Sequence, residues 1–283
     1  MNINLEWTNR FIEAESSYDE AKLIIIGAPF DGTSSFRSGS RFAPNRIREI
    51  SWVLETYSPQ LKKDLTDLKV ADIGDLILPP GDKKKALMII EEEIETIVND
   101  GRIVAILGGE HLITLGVIKG FVKKFPELFL IQLDAHLDLR DEYLGERESH
   151  STVMRRVLEL LKENHLFQIG PRSGTKEEFL LANRLNTLFQ EKDIISFKER
   201  IKDFPIYITL DLDILDPSIL PGTGTPEPGG FDFNTLMDII YQFKELNVVG
   251  FDIVELSPPW DRADISAIVA AKILREMILI FHP

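Results

Sequence analysis

Three aliphatic runs in this chain each end in side chains that bind metals, and no other feature constrains the fold as tightly. Leu128-Phe-Leu-Ile-Gln-Leu133 reads as a buried strand and passes directly into Asp134-Ala-His136-Leu-Asp138. In extended backbone, alternate residues project from one side, so the two aspartates and the imidazole share a direction. Ile206-Tyr-Ile-Thr-Leu210 ends in the same way in Asp211-Leu-Asp213, and Ile103-Val-Ala-Ile-Leu107 runs into Gly108-Gly-Glu-His111. A fold that brings these three strand ends together builds a metal site.

Strand-like runs alternate with helical patterns along the whole chain, which favours one parallel-sheet domain spanning 1–283. There is no low-complexity segment, repeat or compositional break to mark a linker. The patterns predict strands over 23–27, 70–73, 103–107, 128–133, 166–170, 193–197, 206–211 and 248–254. They predict helices over 44–56, 83–100, 112–124, 151–163, 175–190, 232–245 and 263–281. Pro44 suits a first helical turn, and Asp82 and Asp232 suit N-caps. Eight such β/α units can close into a barrel or lie open as a doubly wound sheet, and periodicity does not separate the two. In both, ligands belong at the C-terminal ends of the strands, where the three motifs fall. The Gly/Pro-rich stretch 216–230 follows one of those ends and is long and stiff enough to shape a site wall.

The chain has no cysteine, so thiolate ligands, disulfides and cysteine nucleophiles are excluded, and a metal must be held by carboxylates and imidazoles. A net charge of -14 opposes nucleic-acid binding and is compatible with steering a cationic substrate. The N-terminal residues 1–7 carry no leader pattern. Aliphatic stretches such as Leu23-Ile-Ile-Ile26 are too short to span a bilayer. The expectation is a cytoplasmic protein with no membrane association.

His111, Asp134, His136, Asp138, Asp211 and Asp213 supply two imidazoles and four carboxylates, a set that suits two divalent ions sharing bridging carboxylates. Its oxygen-rich character favours Mn²⁺ or Mg²⁺ over Zn²⁺. A lone Asp-X-His-X-Asp also fits a polar turn after a strand, but two further ligand-bearing strand ends leave that reading little room.

With these residues the sequence resembles the ureohydrolase family, the arginases, agmatinases and their relatives. The matching segments are Gly108-Gly-Glu-His111, Asp134-Ala-His-Leu-Asp138, Ser149-His150, Asp211-Leu-Asp213 with the run 221–227, and Asp252-Ile-Val-Glu255. Gly27-Ala-Pro-Phe-Asp-Gly-Thr33 and Arg37-Ser-Gly-Ser-Arg-Phe-Ala-Pro44 look like the agmatinase branch. The family's second motif has Thr or a small residue where this chain has Leu137, a position that is not a ligand. The resemblance implies a three-layer α/β/α fold with an eight-stranded, mainly parallel sheet, a two-manganese cluster held by the six residues above, and a homo-oligomer, trimer or hexamer. It also implies that His150 shuttles a proton beside the substrate and that Glu255 grips a guanidinium in bidentate fashion. In that chemistry two metals make hydroxide available from water near neutral pH, and Asp138 passes a proton to the departing amine. His165 and His282 have no motif partner and read as structural.

The substrate is then a small cationic guanidine. The stretch 139–149 carries four carboxylates against two arginines, which would repel a substrate carboxylate and attract an amine tail. This ranks agmatine first, hydrolysed to urea and putrescine on the route to polyamines, N1-aminopropylagmatine second and arginine a distant third. A single-zinc deacylase would need fewer carboxylates, and a metallo-phosphoesterase would bring Lys or Arg to its phosphate. An inactive assembly subunit would show degenerate ligands, and none is degenerate.

Overall fold

The computed structural model describes Leu5, Glu6 and residues 9–283; residues 1–4, 7 and 8, most of the stretch read above as lacking a leader, lie outside the described residues. Its strands are β1 Leu5–Glu6, β2 Leu23–Ala28, β3 Tyr57–Ser58, β4 Lys63–Asp64, β5 Val70–Leu76, β6 Ile103–Gly108, β7 Phe129–Leu133, β8 Leu166–Ile169, β9 Leu188–Phe189, β10 Ile206–Asp211 and β11 Val248–Val254. Its α-helices are α1 Ala43–Ser51, α2 Lys83–Asn99, α3 Ile113–Lys124, α4 Val153–Val157, α5 Lys176–Leu185, α6 Ile194–Ile201, α7 Phe233–Gln242 and α8 Ile265–Phe281.

Among the described residues, β3 and β4 pair as a small antiparallel ribbon, and the other nine strands form one open sheet in the order β1-β5-β2-β6-β11-β10-β7-β8-β9. Within that sheet only β1 runs antiparallel to its neighbour, so eight strands are parallel and β1 is a ninth at the edge. The parallel strands are buried on both faces, which is why they read as unbroken apolar runs. Alternate residues feed two separate cores. Leu23 and Ile25 pack with α1, α6, α7 and α8, whereas Ile24 and Ile26 pack with α2, α3 and α4. The result is the three-layer α/β/α arrangement.

Asp82 accepts a hydrogen bond from Lys85 N and Asp232 from Thr235 N, and Pro44 sits in the first turn of α1, as predicted. Around 175–200 the prediction is overturned. The stretch 193–197, expected as a strand, is helical, with Asp193 ending a 3₁₀ turn and 194–197 opening α6, because Ile194, Phe197 and Ile201 recur at helical spacing and bury one stripe. The edge strand is β9, inside the expected helix 175–190; α5 stops at Leu185, where Asn186 takes a left-handed cap at φ 52. The expected helix 151–163 shrinks to α4 behind a 3₁₀ turn at His150–Thr152.

The sheet order also places the site. The chain leaves β6 through α3 and re-enters at β7, skipping two positions that β10 and β11 fill later. Such a reversal opens a crevice outside the C-terminal ends of the strands. The ends of β6, β11, β10 and β7, adjacent in the middle of the sheet, are those that carry the motifs.

Candidate metal centre and substrate cavity

The six predicted ligands converge. His111 Nδ1 lies 3.1 Å from Asp134 Oδ2, 3.0 Å from Asp138 Oδ2 and 3.4 Å from Asp211 Oδ2. His136 Nδ1 lies 2.9 Å from Asp213 Oδ2 and 3.7 Å from Asp134 Oδ1. Two donor groups of a size to hold an ion result: His111, Asp134 and Asp211, and Asp134, His136 and Asp213. Asp134 belongs to both and presents one oxygen to each, the position of a bridge; Asp213 belongs to one.

Hydrogen bonding behind His111 tests whether a cation fits. Its Nε2 is 3.0 Å from Thr209 Oγ1, and that hydroxyl donates to Asp252 Oδ1 at 2.6 Å. The hydroxyl's one hydrogen is used, so Nε2 carries the hydrogen between the ring and Thr209. Nδ1 is left buried without a hydrogen-bond partner, facing three carboxylates. A lone pair among three anionic oxygens is tolerable only with a proton or a metal cation between them, and this hard, oxygen-rich donor set suits a divalent ion.

Asp252 and Thr209 belong to a polar row that crosses the sheet beneath the site. Asp252 pairs in register with Thr209, Thr209 with Gln132, and Gln132 with Gln168, on four adjacent strands. Asp252 Oδ2 accepts from Tyr207 at 2.7 Å and Thr114 at 2.8 Å. Gln168 donates to Gln132 Oε1 at 2.6 Å, and Gln132 donates to Asp134 Oδ2 at 2.6 Å. Every member is satisfied, so the row orients His111 and Asp134 from behind. Gln132, Gln168 and Asp252 are each a lone polar residue inside an apolar strand, a signal visible in the sequence; only Asp252 entered its reading, as part of a matching segment.

Glu255 follows β11 with φ 66, a left-handed conformation that costs on the order of 1–3 kcal/mol outside glycine and clusters at functional sites. It is held there by Glu255 N donating to Gly109 O at 2.9 Å and by His111 N donating to its Oε1 at 2.7 Å. A Cβ on Gly224 would stand 3.2 Å from Glu255 Oε2, so glycine leaves that oxygen open. Glu255, His111, His136, Asp138, Asp211 and His150 all line one cavity of about 220 Å³. His165 stacks on Phe129 and His282 meets the backbone of Lys69, both outside that cavity.

The far wall contains Arg140, Tyr143, Ser173 and Glu178, which the sequence reading did not single out. Of the acidic stretch 139–149, only Arg140 and Tyr143 reach the cavity. Asp141 instead pairs with Arg156 at 2.5 Å, and Glu146 with Lys83 at 2.6 Å, each an exposed carboxylate on a largely buried cation. The carboxylates of that stretch therefore do not line the cavity.

Crowded charges make the metal-free centre respond to pH. Burial, then Asp134, raises Asp138 to about 7; burial, then Glu110, raises Glu255 to about 8. Burial, then Asp213 and Asp134, raises Asp211. Burial opposes charge on the imidazoles, but the carboxylates outweigh it and lift His136 to about 12 and His111 well above its usual value. All five groups bind more protons folded than unfolded, so the chelated protein should lose stability as pH rises from about 5 to 8. Asp134 is buried but held low by the two imidazoles, and its opposite contribution is already complete above that range's lower end. Cations compete with protons for the same lone pairs, so the Mn²⁺-loaded protein should gain stability over the same range. Urea midpoints at the two ends, with and without chelator, measure both slopes; parallel slopes would refute the charge arrangement.

Comparison with known proteins agrees with this geometry. The arginase family's sequence profile matches residues 21–280. The chain is 42% identical over 275 residues to the agmatinase of Bacillus anthracis, covering 95% of each. A solved Clostridium difficile structure matches with a TM-score of 0.89 at 42% identity, over 94% of this chain and 99% of that one. The agmatine ureohydrolase of Thermoplasma volcanium matches with a TM-score of 0.86 at 34% identity, over 98% and 95%. By sequence, sheet order and the arrangement of its strand-end carboxylates and imidazoles, the chain belongs to the arginase family of ureohydrolases.

Proposed function

We propose that the chain hydrolyses agmatine to urea and putrescine at a centre of two divalent cations, manganese by the hardness of the donors. The observation that carries this reading is the sharing of Asp134 between two donor groups that open, beside Glu255, into one cavity. His111, Asp134, Asp138 and Asp211 hold one cation; Asp134, His136 and Asp213 hold the other. When bound, the cations supply the Lewis acidity that brings the pKa of water towards neutrality.

The side chains do the rest. Glu255 Oε2, uncovered beside Gly224, and the remaining lone pairs of Oε1 accept the N–H groups of the guanidinium and turn its central carbon towards the metals. Asp138, ionised while it helps to hold a cation, takes up the proton that the attacking water gives up and delivers it to the departing amine nitrogen. His150 lines the cavity, and burial lowers it to about 4, so its ring is neutral at physiological pH and free to accept a proton. The relatives named agmatinase support the choice of substrate.

The test is urea release. Chelator should abolish it and Mn²⁺ should restore it. His150→Ala should lower kcat by about 100-fold or more while metal content stays unchanged. Urea release by metal-free protein would reject the two-cation reading, and an unchanged kcat would return His150 to a structural role. The cytoplasmic trimer or hexamer remains part of the proposal. It is supported by Phe36, Phe42, Trp52 and Trp260, large apolar side chains exposed at the surface and available for subunit contacts. No helix among the described residues is long and apolar enough to cross a membrane.

A further inference from the structure

Glu110, the third residue of Gly108-Gly-Glu-His111, does not line the cavity, yet it is fully buried and committed to the loop after β2. Its Oε1 accepts from Thr33 Oγ1 at 2.7 Å, and its Oε2 accepts from Thr33 N at 2.9 Å and Ser34 Oγ at 3.1 Å. The loop is also pinned through backbone, by Glu110 N donating to Phe30 O at 2.7 Å and Gly109 N to Ala28 O at 3.0 Å. The carboxylate is therefore not needed merely to keep the loop in place. What it adds is the direction of one hydrogen.

A threonine hydroxyl has a single hydrogen to donate. Burial raises Glu110 to about 7, but the contacts its two oxygens accept favour the carboxylate; with Glu110 ionised, Thr33 gives its hydrogen to it, so towards His150 the Thr33 oxygen can only accept. Two His150 nitrogens face that oxygen, the backbone N at 3.1 Å and the ring Nδ1 at 3.4 Å. The contact is favourable only if Nδ1 bears the hydrogen. The neutral ring then keeps its lone pair on Nε2, which faces Ser35 Oγ at 3.4 Å on the cavity wall.

We infer that Glu110 is a positioning residue which, through the Thr33 hydroxyl, fixes His150 in the Nδ1–H tautomer with Nε2 as the acceptor towards the cavity. Its kinetic consequence rests on the reading of His150 as the residue that moves a proton. A glutamine at this position would offer an N–H donor to Thr33, let the hydroxyl turn round and present its hydrogen to Nδ1. His150 would then carry its hydrogen on Nε2 and could not accept from the cavity. Glu255 and the far wall are untouched, so the loss should appear in kcat and not in KM.

Two measurements test this on full-length protein. The first is ¹⁵N NMR of histidine-labelled protein loaded with diamagnetic Mg²⁺, with His150→Ala to assign the signals. Wild type should show His150 with Nδ1 protonated and Nε2 bare, and both Glu110→Gln and Thr33→Val should shift population to the other tautomer. A wild-type ring protonated on Nε2, or a tautomer indifferent to both substitutions, would overturn the inference. The second is kinetics with Mn²⁺. Glu110→Gln and Thr33→Val should each lower kcat by about 10- to 100-fold at similar KM and metal content. The double variant should fall no further, and Thr33→Ser, which restores the hydroxyl, should recover most of what Thr33→Val loses. Additive losses, or failure of serine to rescue, would refute the relay even if Glu110→Gln were poorly folded. Full turnover by His150→Ala would reject the proton-moving role, while the ¹⁵N signals still decide the tautomer.

Discussion

Asp134→Asn is expected to lower urea release by about a thousand-fold or more and to empty both cation sites, while Asp213→Asn should empty one. The difference follows from position. Asp134 Oδ2 lies 3.1 Å from His111 Nδ1 and its Oδ1 lies 3.7 Å from His136 Nδ1, so both donor groups depend on its charge. Asp213 Oδ2 lies 2.9 Å from His136 Nδ1 and enters only the second group. Asparagine keeps the volume of Asp134 and an oxygen for one of its two donors, Gln132 Nε2 at 2.6 Å and His136 N at 2.6 Å, so the strand end should fold at a cost of one hydrogen bond. It removes the negative charge that two cations would share, which neighbours cannot replace. Metal-to-protein ratios, thermal melting and urea release on the two variants check this together. Two metals per chain in folded Asp134→Asn, or turnover within ten-fold of wild type, would remove Asp134 from the bridging position.

The ligands were legible in the sequence because strand-end spacing is local information. Asp134, His136 and Asp138 stand directly after an apolar run, which places them at a strand end; β7 itself stops at Leu133 and Asp138 turns with φ 53, so the loop and not extended alternation aims the third of them. Glu255 and His150 needed the family resemblance, since a carboxylate after a strand and a histidine before a helix have bland readings of their own. What escaped depended on how distant segments meet. Arg140 and Tyr143 come from the loop after β7, Ser173 from the loop after β8 and Glu178 from the first turn of α5, and nothing in their local pattern says that they line one cavity. The stretch 139–149 looked anionic as a string, but its folded form ties Asp141 to Arg156 and Glu146 to Lys83. The misassigned strand at 193–197 failed for a related reason. In a run of five residues, Ile194 and Phe197 fit a buried strand and a helical stripe equally, and only Ile201, one turn on, resolves the period.

Agmatine should exceed arginine in kcat/KM by about 100-fold or more, roughly 2.8 kcal/mol of discrimination, with N1-aminopropylagmatine between them. No carboxylate of the stretch 139–149 lines the cavity, so contact discrimination between tails falls to the lining itself. If four aspartates balance two divalent cations, the remaining lining charges are Glu255, Glu178 and Arg140, an excess of one negative charge. Glu255 is taken by the guanidinium. On the far wall Arg140 is already engaged, with Nε 3.5 Å from Glu178 Oε2 and its guanidinium 5.0 Å from the centre of the Tyr143 ring. An ammonium tail arriving there meets a buried carboxylate and an aromatic face, both of which attract cations. The α-carboxylate of arginine meets Glu178 and can be accommodated only by drawing Arg140 away from it. Aminopropylagmatine carries a further cation on a longer tail, for which a cavity of about 220 Å³ leaves less room, which places it second. Measuring kcat/KM for the three compounds, and for 4-guanidinobutyrate as a substrate with an anionic tail, under one Mn²⁺ loading sets the order. Arginine or 4-guanidinobutyrate in first place would mean that Arg140 recognises the substrate's far end and that the wall selects anions.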